Sequence, residues 1–182
     1  MAITINGSGT ITGVSAGGLP DNCITADDLA TTLDLSGNTI TLPSGTGGKV
    51  LQVVQGSTNT GASNSTTTYI DAGLSASITP SSTSNNILIF IDMPMVRKNS
   101  GTQIHMKLLR DSTDIYFFQR YGLDTNNTDR HTSPINASYL DSPATTSAVT
   151  YKVQFMSSQN IASVNVQLDS VYSTITLMEI QA

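Results

Sequence analysis

The sequence predicts an all-β protein: a C-terminal β-sandwich head, jelly-roll-like, on a thin N-terminal stem of short strands and one short helix. Three observations predict it. Charged residues make up only 12% of the 182-residue chain, about half the usual share, and Ser, Thr, Asn and Gly fill the gap. Ile, Val, Thr and Tyr, which suit a pleated and half-buried surface, recur throughout. Beyond residue 48, about nine short apolar runs separated by turn residues follow one another, the rhythm of a sandwich.

Residues 42–55, LPSGTGGKVLQVVQ, separate two compositions. Before them the chain is rich in Gly and Thr with scattered Ile and Leu; after them the strands are longer and denser in apolar residues. Gly and Pro punctuate a chain, so a hinge is expected here, with a stem over 1–48 and a head over 49–182. Gly47-Gly48-Lys49 is not a phosphate loop. Pro43 stands where the first glycine is needed and Val50 where the magnesium-binding hydroxyl is needed, and a strand rather than a helix follows.

In the stem, residues 2–5 and 10–14 alternate Thr with Ile around Asn6-Gly7-Ser8-Gly9, a hairpin pattern. Thr25-Ala26-Asp27-Asp28 offers a capping-box-like start to a short helix, with Leu29 and Leu33 four apart on one face. Residues 38–42 form another short strand, with Ile40 and Leu42 on one face. Ile3, Ile5, Ile11, Val14, Leu29, Leu33, Leu35, Ile40 and Leu42 are too few for a core of their own. A unit this small, without disulfide or metal, needs partner chains: either three copies wrap about an axis, or the stem orders only on docking.

In the head, residues 49–55 are the first strand and 56–67 a polar loop. Residues 68–70 and 74–78 are strands broken at 71–73. A turn at 80–86 precedes a nearly continuous apolar strand at 87–93, and Pro94 rules out a central position at that point. Residues 103–110 alternate, with Ile104, Met106 and Leu108 facing one way and Gln103, His105 and Lys107 the other. Asp111-Ser112-Thr113-Asp114 turns into a strand at 115–120, and 121–134 is a long polar loop. Strands at 135–140, 151–156, 163–168 and 173–180 complete the head. In the last, Ile175 and Leu177 share one face and Met178 and Ile180 the other. A strand apolar on both faces is expected to touch the core on one side and another subunit on the other.

Composition also excludes functions. A net charge of −5 with eight scattered Lys and Arg argues against a nucleic-acid partner, which demands a basic patch. Cys23 is alone, so neither an intrachain disulfide nor a multi-thiolate zinc site is available. There is no membrane-length apolar run and no secretory leader pattern. The chain is expected to be made in a cytoplasm and to act outside the cell only as part of a particle, without membrane insertion.

No catalytic constellation is legible, and neither a metal nor a cofactor is expected. His105 and His131 are the only histidines, too few for a convergent metal site, and no nucleophile elbow is present. Asp124-Thr125-Asn126-Asn127-Thr128-Asp129 is oxygen-rich and could hold calcium, but it misses the calcium-loop spacing, and a solvated Asx-rich turn is the favoured reading. Asp111 and Asp114, read as a glycosidase pair, would sit in a turn where nothing raises either pKa.

The best recognition candidates are Tyr121, Asp124, Asn126, Asn127, Asp129, Arg130 and His131 in the long loop, because an aromatic face beside amide and carboxylate groups is what sugar binding needs. Arg97 and Lys98, in a polar loop after Pro94, are a second candidate. The alternative is an ordinary exposed loop.

Several words carry a resemblance. INGSGTITG, TADDLATTLDLSGNTITLPSGTGGKVLQVVQ, ITPSSTSNNILI, LLRDSTDIY, LDSPATTSAVTYKVQF and the closing ITLMEI, in this order, resemble the tail-fibre-like virion proteins of marine tailed bacteriophages. The resemblance covers nearly the whole chain except 92–103 and 121–134. It implies a homotrimer, an N-terminal stem bound to other virion proteins, a β-sandwich tip and attachment to a host surface glycan or protein, with no catalytic motif. A purely structural virion protein, such as a trimeric capsid decoration or a collar component, is the alternative.

Overall fold

A computed structural model describes residues 50–124 and 129–182, which lie within one compact unit, Ser44–Ala182. The expected stem strands and helix, the interface residues from Ile3 to Leu42, and Asn126 and Asn127 lie outside the described residues.

Among the described residues ten strands form, in chain order: β1 (Val50–Thr58), β2 (Ala62–Asn64), β3 (Ile70–Ile78), β4 (Asn86–Lys98), β5 (Ile104–Arg110), β6 (Thr113–Gly122), β7 (His131–Asp141), β8 (Val149–Ser157), β9 (Val164–Val166) and β10 (Ser173–Ile180). Two antiparallel sheets result. One carries β1-β10-β4 with β7 and β9 both paired to β4 and β2 beyond β9; the other is β3-β8-β5-β6. The eight long strands pair as nested hairpins: β5 with β6, β4 with β7, β3 with β8 and β1 with β10. One long double ribbon, closed at the two-residue turn Asp111-Ser112, is thus rolled into a sandwich. That is the jelly roll, and the predicted fold class holds.

Alternation decides what is buried. Ile87, Ile89, Ile91 and Met93 of β4 face Ile104, Met106 and Leu108 of β5 and Val153 and Phe155 of β8 across the core, all at most 2% exposed. Truncating one of these to Ala costs about 2–5 kcal/mol, from lost transfer energy plus the cavity left behind. Gly56 is fixed by a close approach between the sheets: a Cβ there would sit 2.0 Å from the Ser75 carbonyl oxygen of β3. A strand rather than a loop residue therefore occupies 56, and only glycine fits it.

Several local expectations are corrected. Residues 56–58 extend β1, and β2 forms inside the expected 56–67 loop. The break at 71–73 is a bulge within continuous β3, where the register to β8 shifts between Asp71 and Ser75 and Gly73 takes φ +73. Pro94 does not end its strand. The ladder from β10 stops at Asp92 and the register to β7 shifts between Met93 and Val96. The missing N–H thus falls at a bulge, where a proline is tolerated.

The last strand hides a carboxylate. Glu179 lies on the core-facing side of β10 with Ile175 and Leu177, and is fully buried. It accepts hydrogen bonds from Asn85 Nδ2 at 2.7 Å, Gln52 Nε2 at 2.6 Å, and both the backbone N and Oγ of Ser81 at 2.7 Å. The knot joins β10 to β1 and to the β3–β4 connection. Burial pushes the carboxyl up, but the four donors outweigh it and hold it down to about 2, from an ordinary 4.5. A carboxyl depressed on folding adds stability above its unfolded pKa, and that stability is lost as pH falls through the folded value. Melting temperature is therefore expected to drop between about pH 4.5 and 2, and Glu179→Gln should flatten that drop. At pH 7, Glu179→Ala should cost about 1–3 kcal/mol by stranding buried donors, measurable by urea unfolding.

Candidate functional site

Three surfaces merit attention: one end of the sandwich, the two outer sheet faces, and an edge cleft. The first gathers most of the recognition candidates. β4 and β6 end there and β7 begins there, so Arg97, Lys98, Tyr121, Asp124, Asp129, Arg130 and His131 lie at the same end.

Their placement differs from the sequence expectation. Arg97 and Lys98 belong to β4, not to a loop. Arg97 Nε donates to Thr132 Oγ1 at 3.0 Å. Lys98 shares the inward parity of Val96 and is fully buried, and its Nζ finds no hydrogen-bond partner among the described residues. It is therefore not an exposed contact. His131 opens β7 and pairs in register with Lys98, so the polar connection after β6 is shorter than expected.

Tyr121 is the penultimate residue of β6 rather than the start of a loop. It is 62% exposed and held at φ +53, a conformation uncommon for a bulky residue and a mark of local constraint. Its ring meets His105 edge-on at 4.6 Å. His105, expected on a polar solvent or interface face, is instead buried, and its Nε2 has no hydrogen-bond partner among the described residues. Beside it, Gln103 Nε2 donates to Asp124 Oδ1 at 3.3 Å while Gln103 Oε1 accepts from Ser158 Oγ at 2.8 Å. Tyr121 and Asp124 are thus brought together through residues of β5 and its approach. Burial, and then the nearby Arg120 charge, push the His105 imidazole below its ordinary 6.5.

The two outer faces contrast. On the β3-β8-β5-β6 sheet the outer face is mostly ionic and polar, with the aromatic pair Tyr69 and Phe117 under the cations Lys107 and Arg120. Lys152 pairs with Asp71 at 3.2 Å and Lys107 with Asp114 at 2.8 Å, and Gln154 Nε2 donates to Asp71 at 2.7 Å. On the other sheet an apolar row crosses four strands. Val53 stands opposite Met178, Met178 opposite Leu88, and Leu88 opposite Leu140. Val53 is 54% exposed, Leu140 55%, and neighbouring Phe90 44%. Met178 and Ile180 lie half-buried on this outer face, as their parity predicted.

The third surface is an open cleft of about 590 Å³ where the edge strands β6 and β7 meet β4, lined by Phe90, Asp92, Tyr116, Phe118, Asn136 and Ser138. Tyr116 is stacked on Tyr139 with ring centroids 4.9 Å apart. With its amide turned to satisfy its neighbours, Asn136 Nδ2 donates to Asp92 Oδ1 at 2.7 Å and to the Ile135 carbonyl at 3.0 Å. None of these residues was singled out from the sequence. Parity divides the lining: Phe90, Asp92, Asn136 and Ser138 turn to the outer face of their sheet, while Ile91 and Ala137 turn inward with Tyr116 and Phe118.

No family model and no curated protein matches the chain. Among solved structures it is similar to VP2 of infectious bursal disease virus. The VP2 subviral particle is 14% identical with a TM-score of 0.46, over 85% of this chain and 41% of that one. A mutant VP2 in derived T=1 particles is 15% identical with a TM-score of 0.40, over 94% of this chain and 52% of that one. The chain spans about two fifths to one half of the length of these proteins.

The His105 geometry has a measurable consequence. In an NMR titration its Cε1 proton should show a midpoint below 6.5. Arg120→Gln should move that midpoint part of the way back, because burial is the larger cause and remains. Charging a buried imidazole costs stability, so the contribution of a neutral His105 is present above 6.5 and declines as pH falls.

Proposed function

We propose that this chain is a tail-fibre-like virion protein of a tailed bacteriophage, assembled as a homotrimer, that presents its jelly-roll head to the host cell surface. The observation that carries the reading is the contrast between the two outer sheet faces. A sheet face left in water ordinarily carries polar residues, as the Lys152–Asp71 side does. The row Val53, Met178, Leu88 and Leu140, with Phe90 beside it, is a contiguous apolar band of the kind that marks an assembly surface. Packing copies through this band gives Met178 and Ile180 the subunit contact expected of them.

The resemblance supplies the rest of the reading. Residues 1–48 join the head to other virion proteins, the host contact is a surface glycan or protein, and the protein is not an enzyme. In a trimer three heads act together, so weak single contacts add up to useful attachment.

Light scattering over a dilution series tests the assembly. The full chain should have the mass of three copies. Val53→Glu combined with Leu140→Glu should raise the concentration at which the trimer dissociates by at least about tenfold, equivalent to about 1.4 kcal/mol, with little change in melting temperature because both positions are exposed. A parent chain that stays monomeric, or a trimer indifferent to two added charges per copy, would sink the assembly. Attachment is read separately: the purified protein should compete with phage for adsorption to host cells. Binding to purified capsids or tails alone would instead establish a purely structural virion role.

A further inference from the structure

The outer face of the β3-β8-β5-β6 sheet carries one aromatic patch. Tyr69, just before β3, and Phe117 of β6 meet edge to face, with ring centroids 6.4 Å apart. Lys107 Nζ lies 4.2 Å from the centre of the Tyr69 ring, and the guanidinium carbon of Arg120 lies 4.5 Å from the centre of Phe117. The four side chains are therefore one contiguous surface. Lys107 fixes which face this is, because Met106 and Leu108 on either side of it are buried in the core.

An irregularity in β6 builds the patch. β6 is an edge strand, and its register to β5 shifts where three steps from Gln119 to Tyr116 oppose two from Met106 to Leu108. Phe117 and Arg120 are three apart, a spacing that puts side chains on opposite faces of a regular strand. The bulge brings them onto one face, as bulges at sheet edges re-aim side chains.

The two cations are unequally committed. Lys107 is paired with Asp114 at 2.8 Å and its side chain is only 11% exposed. Arg120 is exposed and makes no ion pair among the described residues. The patch thus offers a ligand one unmatched positive charge on a planar fork of N–H donors. The phenyl ring beneath already holds that fork, which reduces the ordering cost of binding. A carboxylate fills such a fork with both of its oxygens. A phosphate dianion would bring a second charge that nothing in the patch balances. Beside the guanidinium, Phe117 keeps 40% of its surface in water, and an aromatic surface accepts C–H groups.

From these observations we infer that the patch around Arg120 and Phe117 binds an acidic pyranose, a sugar ring that carries a carboxylate. In such a sugar the carboxylate and the C–H face of the ring are one bond apart, which matches a guanidinium beside a phenyl ring. The inference rests on the attachment reading for the source of the sugar, a glycan of the host surface. It places the sugar contact on a sheet face rather than in the segment after Tyr121. That face belongs to the sheet without the apolar band, so assembly through the band leaves the patch open.

The test is an NMR titration of the full chain with methyl β-D-glucuronide, methyl α-D-galacturonide and N-acetylneuraminic acid. Methyl β-D-glucopyranoside serves as the neutral probe and acetate as the bare carboxylate. At least one acidic sugar should bind in the millimolar range, at least about tenfold tighter than the neutral glycoside or acetate. Arg120→Gln should weaken that binding at least about tenfold, and Arg120→Lys, which keeps the charge without the fork, should restore only part of it. Phe117→Ala should weaken it at least about threefold. Lys152→Gln removes a cation from the same sheet face and should leave it unchanged. The Arg120 charge is felt at His105, so bound carboxylate should raise the His105 midpoint in the parent and not in Arg120→Gln. Arg120 is exposed, so its variants keep the fold and the experiment remains decisive if Phe117→Ala misfolds. Failure of all three acidic sugars to bind, equal binding of the neutral glycoside, or full binding by Arg120→Gln would overturn the site. Acetate binding as tightly as the sugars would show that any carboxylate suffices, a protein partner's included, and would overturn the sugar assignment. Adsorption competition by a protein that binds none of the acidic sugars would overturn the site and leave attachment standing. Sugar binding without adsorption competition would uphold the site and overturn attachment.

Discussion

The nested pairing of the ribbon is the constraint on which everything else hangs. Once Asp111-Ser112 closes β5 on β6, the partners of every later strand are ordered outward: β4 with β7, β3 with β8, β1 with β10. Each pair is antiparallel, and successive wraps add a pair of strands to the two sheets in alternation. The pairing is strongly non-local in its outer layers, since Val50 meets Ile180. Closing such long loops has an entropic cost that the inner hairpins must first reduce. The buried Glu179 knot sits where the outermost layer closes, so the residues that pin the last strand also complete the wrap.

Much of this was legible. Turn residues and alternation located nearly every head strand, and the last strand was read with its observed bounds, Ser173–Ile180. Parity identified Ile104, Met106 and Leu108 as core and Met178 with Ile180 as outward. Failures came where one residue was given a fixed meaning. An apolar run that stops at Met93 before Pro94 reads as a strand end, and Gly56 reads as the start of a loop. The bulge at Met93–Val96 and the close approach to Ser75 let each sit inside a strand instead.

The candidate site was less legible, for a physical reason. Sequence reasoning ranks polar loops as recognition surfaces, and so favoured Arg97, Lys98 and the segment after Tyr121. Strand pairing then drew Lys98 into the interior and His131 into β7. The edge cleft needs residues from β4, β6 and β7 that lie far apart in the chain, and no local pattern links Asp92 to Tyr116 or Asn136. The buried role of Glu179 was equally hidden. Its parity with Ile175 and Leu177 was visible, but its donors Gln52, Ser81 and Asn85 come from other parts of the ribbon.

The antiparallel register of β1 with β10 also determines how the head bears force. Val50 lies beside Ile180, so the chain enters and leaves the sandwich at one end, while β6 gives way to β7 at the other. A pull between the two chain ends would peel that ladder open one rung after another. A pull from residue 50 toward the opposite end runs along the strand axes and loads the rungs of the ladder in shear, all at once. The jelly roll is thus compliant to tension between its own termini and stiff to tension along its length, the direction in which a tethered head would be strained.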